Sequence, residues 1–391
     1  MGIYLVILIY LLFLFIRYDM CLGSRYRSVN YWFACILLIL VAGLRYRIGF
    51  DTINYMQSFD SPFYPRLSDF SFSGDYGNDI LWVFINAIGK SSPWGFYTVQ
   101  FIQAAIVNIA VFWFIKRHSP KQFFAILLFF LFQWWNYCFE AMRESIAIAF
   151  YLFALDALIC KNSLKHYYLR VWPAIFAHTF GFVTLFFPLI RYLKINKYLP
   201  VIFALFLVVL FSISDLVNTL VEGMSIMENA ASAKATKYIE SDIYGESTLS
   251  IAGIIALILS RMVPIAYITF VLYRNKDPKT DVFIPYLLCY MFVILLRMEM
   301  PIFFRFYNYF EVMMIIGMTQ AVSVRTKVGG YNVTALTWIM ILFMIIIRSY
   351  ELTKPETASI HDYKTYNRYI PYNSIFTEDY NEESEYIFRS K

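Results

Sequence analysis

Apolar runs alternate with short polar breaks along the whole chain. They stand at about 3–16, 30–44, 94–115, 122–138, 144–160, 167–178, 180–193, 198–216, 250–273, 281–297, 302–322 and 331–348. Most approach the roughly 17 to 25 residues that an α-helix needs to cross a bilayer. The pattern predicts an all-α, polytopic membrane helix bundle of about 12 segments, two of them short helices that meet near His178. The expected organisation is one membrane domain over 1–350, with an outer loop at 45–93 and an amphipathic outer segment at 217–249, followed by a polar outer-face tail at 351–391.

The breaks set the orientation. Those holding Arg17/Arg25/Arg27, Lys116/Arg117/Lys121, Lys161/Lys165/Arg170, Arg191/Lys194/Lys197, Arg274/Lys276/Lys279 and Arg325/Lys327 are short and basic, as cytoplasmic loops are. Twelve segments put all of them inside and both termini outside. A single span over 167–193 would put Arg191, Lys194 and Lys197 on the wrong face. Nor can Ile80 to Ala87 cross, because Lys116 would then face outward. "NDILWVFINAIGK" therefore reads as an interfacial or re-entrant helix on the outer face. In 218–240, Leu220, Met224, Met227, Ala231, Ala235 and Tyr238 recur at helical spacing, as in an amphipathic helix lying on the membrane or over a site. The first run has no basic residue before it and no A-x-A site after it, so it reads as an uncleaved first span.

Composition excludes whole classes of function. Of 391 residues 60% are hydrophobic and only 15% charged, against about 25% charged in soluble domains. The net charge of +6 resides in loops between spans, so nucleic acid is not an expected partner. Cys21, Cys35, Cys138, Cys160 and Cys289 form no CxxC pair and read as small buried hydrophobes. His118 and His166 lie in basic loops and His361 in the tail, and no metal-ligand spacing appears. There is no Walker A loop, D-x-D pair, HExxH or GxSxG. Neither metal nor cofactor is expected.

Charges next to apolar runs carry the chemistry. A charge at the centre of a membrane helix costs at least about 2.5 kcal/mol, so it needs a partner or a task. The embedded and boundary charges gather on the outer side: Arg45, Arg47, Asp51, Glu140, Arg143, Glu144, Arg297, Glu299 and Arg305, with Arg261 deeper. All the cations are arginine, whose planar fork suits phosphate oxygens. The outer half is expected to be an arginine-lined cavity for an anionic lipid headgroup, against the alternative that each arginine snorkels or pairs with Glu. A transferase built this way would use a lipid-borne donor with pyrophosphate leaving, stabilised by cations. Asp51 can cap the next helix, hold Arg45 or Arg47, or act on a substrate hydroxyl. His178, at the predicted outward turn, is a core histidine or a base for a hydroxyl.

With these residues in hand, the sequence resembles the EpsG family of bacterial polysaccharide polymerases, related in role to the Wzy O-antigen polymerases. The resemblance rests on "GLRYRIGFDTINY", "NDILWVFINAIGK", "NYCFEAMRESIAIAFYLFAL", "IFAHTFGFVTLFFPLI", "FRFYNYF" and "YIPYNSIF", in that order over most of the chain. Glu144 departs from the pattern, which has Gln there. The resemblance implies a metal-independent glycosyltransferase of the bacterial cytoplasmic membrane with its site facing outward. It would join undecaprenyl-pyrophosphate-linked oligosaccharide repeat units for capsule, exopolysaccharide or O-antigen, next to membrane lipid and a chain-length regulator. It implies Arg45, Arg47, Arg143, Arg297 and Arg305 as pyrophosphate-binding, and His178 and Asp51 as catalytic candidates. Tyr55, Phe63, Tyr64, Tyr76 and Trp82 would stack on sugar rings or anchor at the interface. A glycan ligase, a flippase or transporter of the lipid-linked unit, and a non-catalytic scaffold are the rivals. Charges confined to the outer half and the lack of an internal repeat weigh against transport.

Overall fold

Helices form over most of the apolar runs. The computed structural model describes residues 2–74, 76, 79–193, 255–275, 277, 281–299, 303–324, 327–328, 331–354, 356–357 and 365–377. Helix α1 is Gly2–Phe15, prolonged as a π-turn to Met20, and α2 is Arg27–Gly43. Two shorter helices follow, α3 (Phe50–Phe59) and α4 (Ile80–Ser91). Then come α5 (Phe96–His118), α6 (Gln122–Phe132), α7 (Met142–Lys161) and α8 (Leu164–Ala177). After the segment outside the described residues stand α9 (Val263–Asn275), α10 (Ile284–Glu299), α11 (Phe304–Ala321) and α12 (Val333–Thr353). Two short antiparallel ladders pair Lys327–Val328 with Tyr331–Asn332 and Glu356–Thr357 with Thr365–Tyr366.

Four of these helices are long and apolar enough to cross a membrane: Gly2–Met20, Phe96–His118, Ile255–Asn275 and Val333–Thr353. Shorter apolar helices, Arg27–Gly43 and Ile284–Arg297 among them, accompany them. The all-α expectation holds, with two corrections. The run 122–138 is not one helix, because α6 stops at Phe132 and a π-turn, Asn136–Glu140, leads into α7. The run 180–193 is two stretches of 3-10 helix, Thr179–Leu185 and Phe187–Tyr192. The expected span at 198–216 and the amphipathic segment at 217–249 lie outside the described residues.

Packing divides the chain into two units, residues 1–188 with 345–391 and residues 189–344. In the first unit α7 is the central helix, with most of its side chains buried from Met142 to Leu158. The peripheral helices keep one apolar stripe open. On α1, Leu5, Val6, Ile9, Phe13 and Ile16 are exposed while Tyr4, Ile7, Leu11 and Leu14 are buried. Such a stripe on a helix of this length meets lipid tails rather than water. Close approach of helices needs small residues: a Cβ at Gly43 would meet the Phe101 side chain of α5 at 2.6 Å.

Two buried aspartates tie the helix ends at the basic end of the first unit. Asp19 pairs with Arg27 at 2.8 Å and accepts from Phe124 N at 2.9 Å, joining α1, α2 and α6. Asp156 on α7 holds Arg117 at 2.5 Å, His118 at 3.0 Å and Arg170 at 3.7 Å, joining α5, α7 and α8. His118, Asp156 and Cys160 place donor atoms within 4.8 Å of one another, yet two guanidinium groups already neutralise Asp156. Cys35 and Cys138 are buried, whereas Cys21 and Cys160 are exposed, against the expectation of five buried thiols.

In the second unit Arg261 meets the cost of a charge among apolar helices by pairing. Its guanidinium lies 3.6 Å from Glu311 of α11, and Tyr290 of α10 donates to the same carboxylate oxygen at 3.1 Å.

Candidate functional site

At the other end of the first unit, α2 ends and the chain turns sharply through Leu44–Gly49. Arg47 adopts φ 52° and Gly49 φ 97°. At Gly49 a side chain would also collide, because an added Cβ would lie 2.8 Å from the carbonyl oxygen of Phe139. The turn is thus packed onto the π-turn ahead of α7. Thr52 Oγ1 donates to Phe139 O at 2.7 Å. Glu140 accepts from the backbone N–H groups of Phe50 at 3.3 Å and Asp51 at 2.9 Å. A carboxylate there satisfies orphan donors of the first turn of α3 and complements its dipole. The cap of α3 is therefore Glu140, reached from 90 residues away, rather than Asp51.

Arg45 lies inside this knot, fully enclosed. Its guanidinium donates to Ala42 O, to Ile48 O at 3.3 Å and to Thr52 Oγ1 at 2.8 Å, and lies 3.6 Å from Met142 Sδ. It stands 4.5 Å above the Phe139 ring. Burial pulls its pKa down to about 10, which leaves it cationic at neutral pH. All its donors face protein, in place of the open cavity expected from the sequence. Gln100 of α5 seals the underside, donating to Gly43 O at 2.8 Å and Arg45 O at 2.9 Å.

The tail returns to this turn. Tyr46 N donates to Asn373 O at 2.8 Å and Ile375 N to Leu44 O at 3.0 Å, so that Arg45 and Ser374 form an antiparallel bridge. Tyr372 donates to Val41 O at 3.1 Å, and burial pushes its phenol up to about 12, which keeps the donor protonated. Tyr369 packs against Trp135 and Phe139 at 5.0 and 5.6 Å. Arg368 lies 3.7 Å from Glu140. "GLRYRIG" and "YIPYNSIF", at opposite ends of the chain, are one structural element.

Arg143 is the cation that faces outward here. It stands in the first turn of α7 with its side chain 30% exposed, paired with Asp79 at 2.9 Å. Its guanidinium carbon lies 5.6 Å from the centre of the Tyr55 ring. Asp79 heads "NDILWV" and joins that segment to the site, and Trp82 packs on Tyr55 at 5.2 Å. Arg47 and Asp51 are half-buried on the same turn and helix, whereas Glu144 is buried.

His178 follows α8 in extended conformation and caps the 3-10 stretch: its Nδ1 accepts from Phe180 N at 3.2 Å. A neutral imidazole whose Nδ1 accepts carries its proton on Nε2. In that tautomer Nε2 is a donor, not a base. Arg170 of α8 donates to Phe153 O of α7. Eight residues on, His178 stands roughly 12 Å nearer the Met142 end of α7. Arg297 and Arg305 belong to the second unit, where each faces an aromatic ring, Tyr307 at 5.3 Å and Phe304 at 5.4 Å.

Reading the sequence alone misses Asp79, Arg368 and the capping role of Glu140. Asp79 and Glu140 lie inside two of the quoted segments, and Arg368 directly precedes the last of them.

Long apolar helices with lipid-facing stripes and a polar, arginine-bearing end make this a multi-pass membrane protein. The chain belongs to the EpsG family, whose model matches residues 28–388. That is a bacterial membrane family linked to exopolysaccharide biosynthesis. Neither a curated protein nor a solved structure matches the chain.

Proposed function

We propose that the protein is the polymerase that joins undecaprenyl-pyrophosphate-linked oligosaccharide repeat units at the outer face of the bacterial cytoplasmic membrane. The observation that carries this reading is the partly exposed Arg143, held by Asp79 and Tyr55 beside the turn that presents Arg47 and Asp51. The basic end with Arg27, Lys116, Arg117 and Arg170 faces the cytoplasm by the positive-inside rule, which turns the Arg143 end outward.

In the reaction a hydroxyl of one lipid-linked unit attacks the anomeric carbon of the growing chain. A C–O glycosidic bond forms, the bond from that carbon to the pyrophosphate oxygen breaks, and undecaprenyl pyrophosphate leaves. Arg143 and Arg47 bind the pyrophosphate and take up the charge that develops on the leaving oxygen. Arg297 and Arg305, in the second unit, are further candidates for binding a lipid pyrophosphate. The Asp51 carboxylate takes the proton from the hydroxyl. His178 is a further candidate for contact with the acceptor hydroxyl. Arg45 acts as a positioning residue: it fixes the turn on which Arg47 and Asp51 stand.

The test is chain extension by purified protein in lipid, given its native lipid-linked oligosaccharide without nucleotide and with EDTA. A ladder of multiples that Arg143→Ala abolishes supports the reading. Absence of a ladder with authentic substrate refutes it and favours a ligase or flippase, which transfer to another acceptor or lipid flipping in vesicles would reveal.

A further inference from the structure

The loop between α3 and α4 builds an aromatic surface that the reaction above leaves without a task. Phe70 stacks on Tyr76 at 5.6 Å with planes only 6° apart, and packs on Phe84 at 5.2 Å. Phe72 lies over Phe84 at 6.1 Å and Phe63 meets Tyr76 edge-on at 6.1 Å. The outer rings are open to the surroundings: Phe72 is 75% exposed and Phe63 48%. Two ties hold the loop to the end of α4, from Leu67 N to Ser91 Oγ at 2.9 Å and from Lys90 Nζ to Ser61 O at 2.8 Å. The surface is continuous with the Arg143 site, because Tyr76 O accepts from Asp79 N at 3.3 Å and Asp79 holds Arg143.

We infer that Phe63 and Phe72 form a saccharide-stacking platform for the glycan chain engaged at the Arg143 site, an inference that rests on the proposed polymerase reading. Charge and hydroxyl content decide between a glycan and a lipid surface. A segment that inserts into the interface of an anionic membrane carries Lys and Arg around its apolar residues. This loop carries Asp60, Asp69, Asp75 and Asp79 against one Arg66, with Ser61, Ser68, Ser71 and Ser73 between the rings. Rigid rings flanked by small hydroxyl and carboxylate groups suit the alternating C–H faces and hydroxyls of sugar rings. The half-buried Tyr55 and the buried Trp82 support Arg143 instead and are not the stacking surface.

The experiment uses the full chain in nanodiscs. Its probe is a set of oligosaccharides of graded length cut from the surface polysaccharide of the producing cell. Binding is expected to strengthen with length. It should weaken about five- to ten-fold in Phe72→Ala and again in Phe63→Ala, as the loss of one stacked ring implies, with melting temperature unchanged because both rings are exposed. Protection of residues 61–73 from hydrogen exchange should follow addition of oligosaccharide. Unchanged binding in both variants overturns the platform. So does protection that follows transfer from detergent into lipid and ignores the oligosaccharide, which marks a membrane anchor. Wild-type protein that binds the free glycan but extends nothing keeps the platform and removes the polymerase. Full extension with ring-independent binding does the reverse.

Discussion

Arg45 and Arg143 look alike in sequence, and the proposed mechanism gives them opposite work, so substituting Arg45 tests the whole account. In Arg45→Lys the charge stays but the fork is lost. Arg45 serves Ala42 O, Ile48 O and Thr52 Oγ1 together, and a single ammonium on a shorter reach serves one of them. Two enclosed acceptors are left, each costing about 1–3 kcal/mol. The contact with the Phe139 ring adds about 1 kcal/mol. The sum, about 3–7 kcal/mol, is a large part of a typical folding free energy of about 5–15 kcal/mol. Arg45→Lys is therefore expected to lower the melting temperature of the detergent-solubilised protein and to free the tail, read as faster proteolysis between Thr353 and Thr377. Arg143→Lys, with a half-open side chain, should melt near the wild-type temperature and lose chain extension. Arg45→Lys that melts like wild type with its tail docked, yet makes no polymer, would refute the scaffold role and return Arg45 to the substrate.

Glu140→Ala removes the acceptor for Phe50 N and Asp51 N, so a loss of about 1–2 kcal/mol in stability should come with a fall in kcat. Arg368→Ala leaves those bonds and should cost less than about 1 kcal/mol, as thermal melts of the two variants will show. Truncation after Thr377 should preserve extension, whereas truncation after Lys354 removes the strand paired with Leu44–Tyr46 and should abolish it while the protein stays in the membrane. For His178, His178→Asn keeps an acceptor for Phe180 N but loses the Nε2 donor. It should melt like wild type and lose about 10²-fold in kcat, and wild-type kcat would confine His178 to capping.

Much of the architecture was legible because lipid imposes a simple code. A segment that crosses hydrocarbon must be apolar over a helix length and satisfy its own backbone. The runs that became α1, α2, α5, α7, α8 and α12 announce themselves. Basic breaks mark one end of the first unit, since Arg27, Lys121, Arg117 and Arg170 do cluster with Asp19 and Asp156. The breaks at Gln133 and Phe186 were not legible. A continuous apolar run reads the same whether it forms α-helix, a π-turn or 3-10 helix.

By itself the sequence determined the class of protein, the helix-forming runs and the segments that carry the family resemblance. Only the tertiary structure decided which charges remain available. Whether an arginine binds substrate or scaffold depends on the acceptors within a few ångströms of its guanidinium. Those come from parts of the chain that no local pattern relates: Phe139 and Glu140 to the turn after α2, Asp79 to Arg143, and the tail strand Asn373–Ile375 to Leu44–Tyr46. Hydrophobic periodicity fixes which face of a helix is buried. It does not specify which loop ends meet, because that choice rests on a handful of hydrogen bonds formed only after the helices have packed.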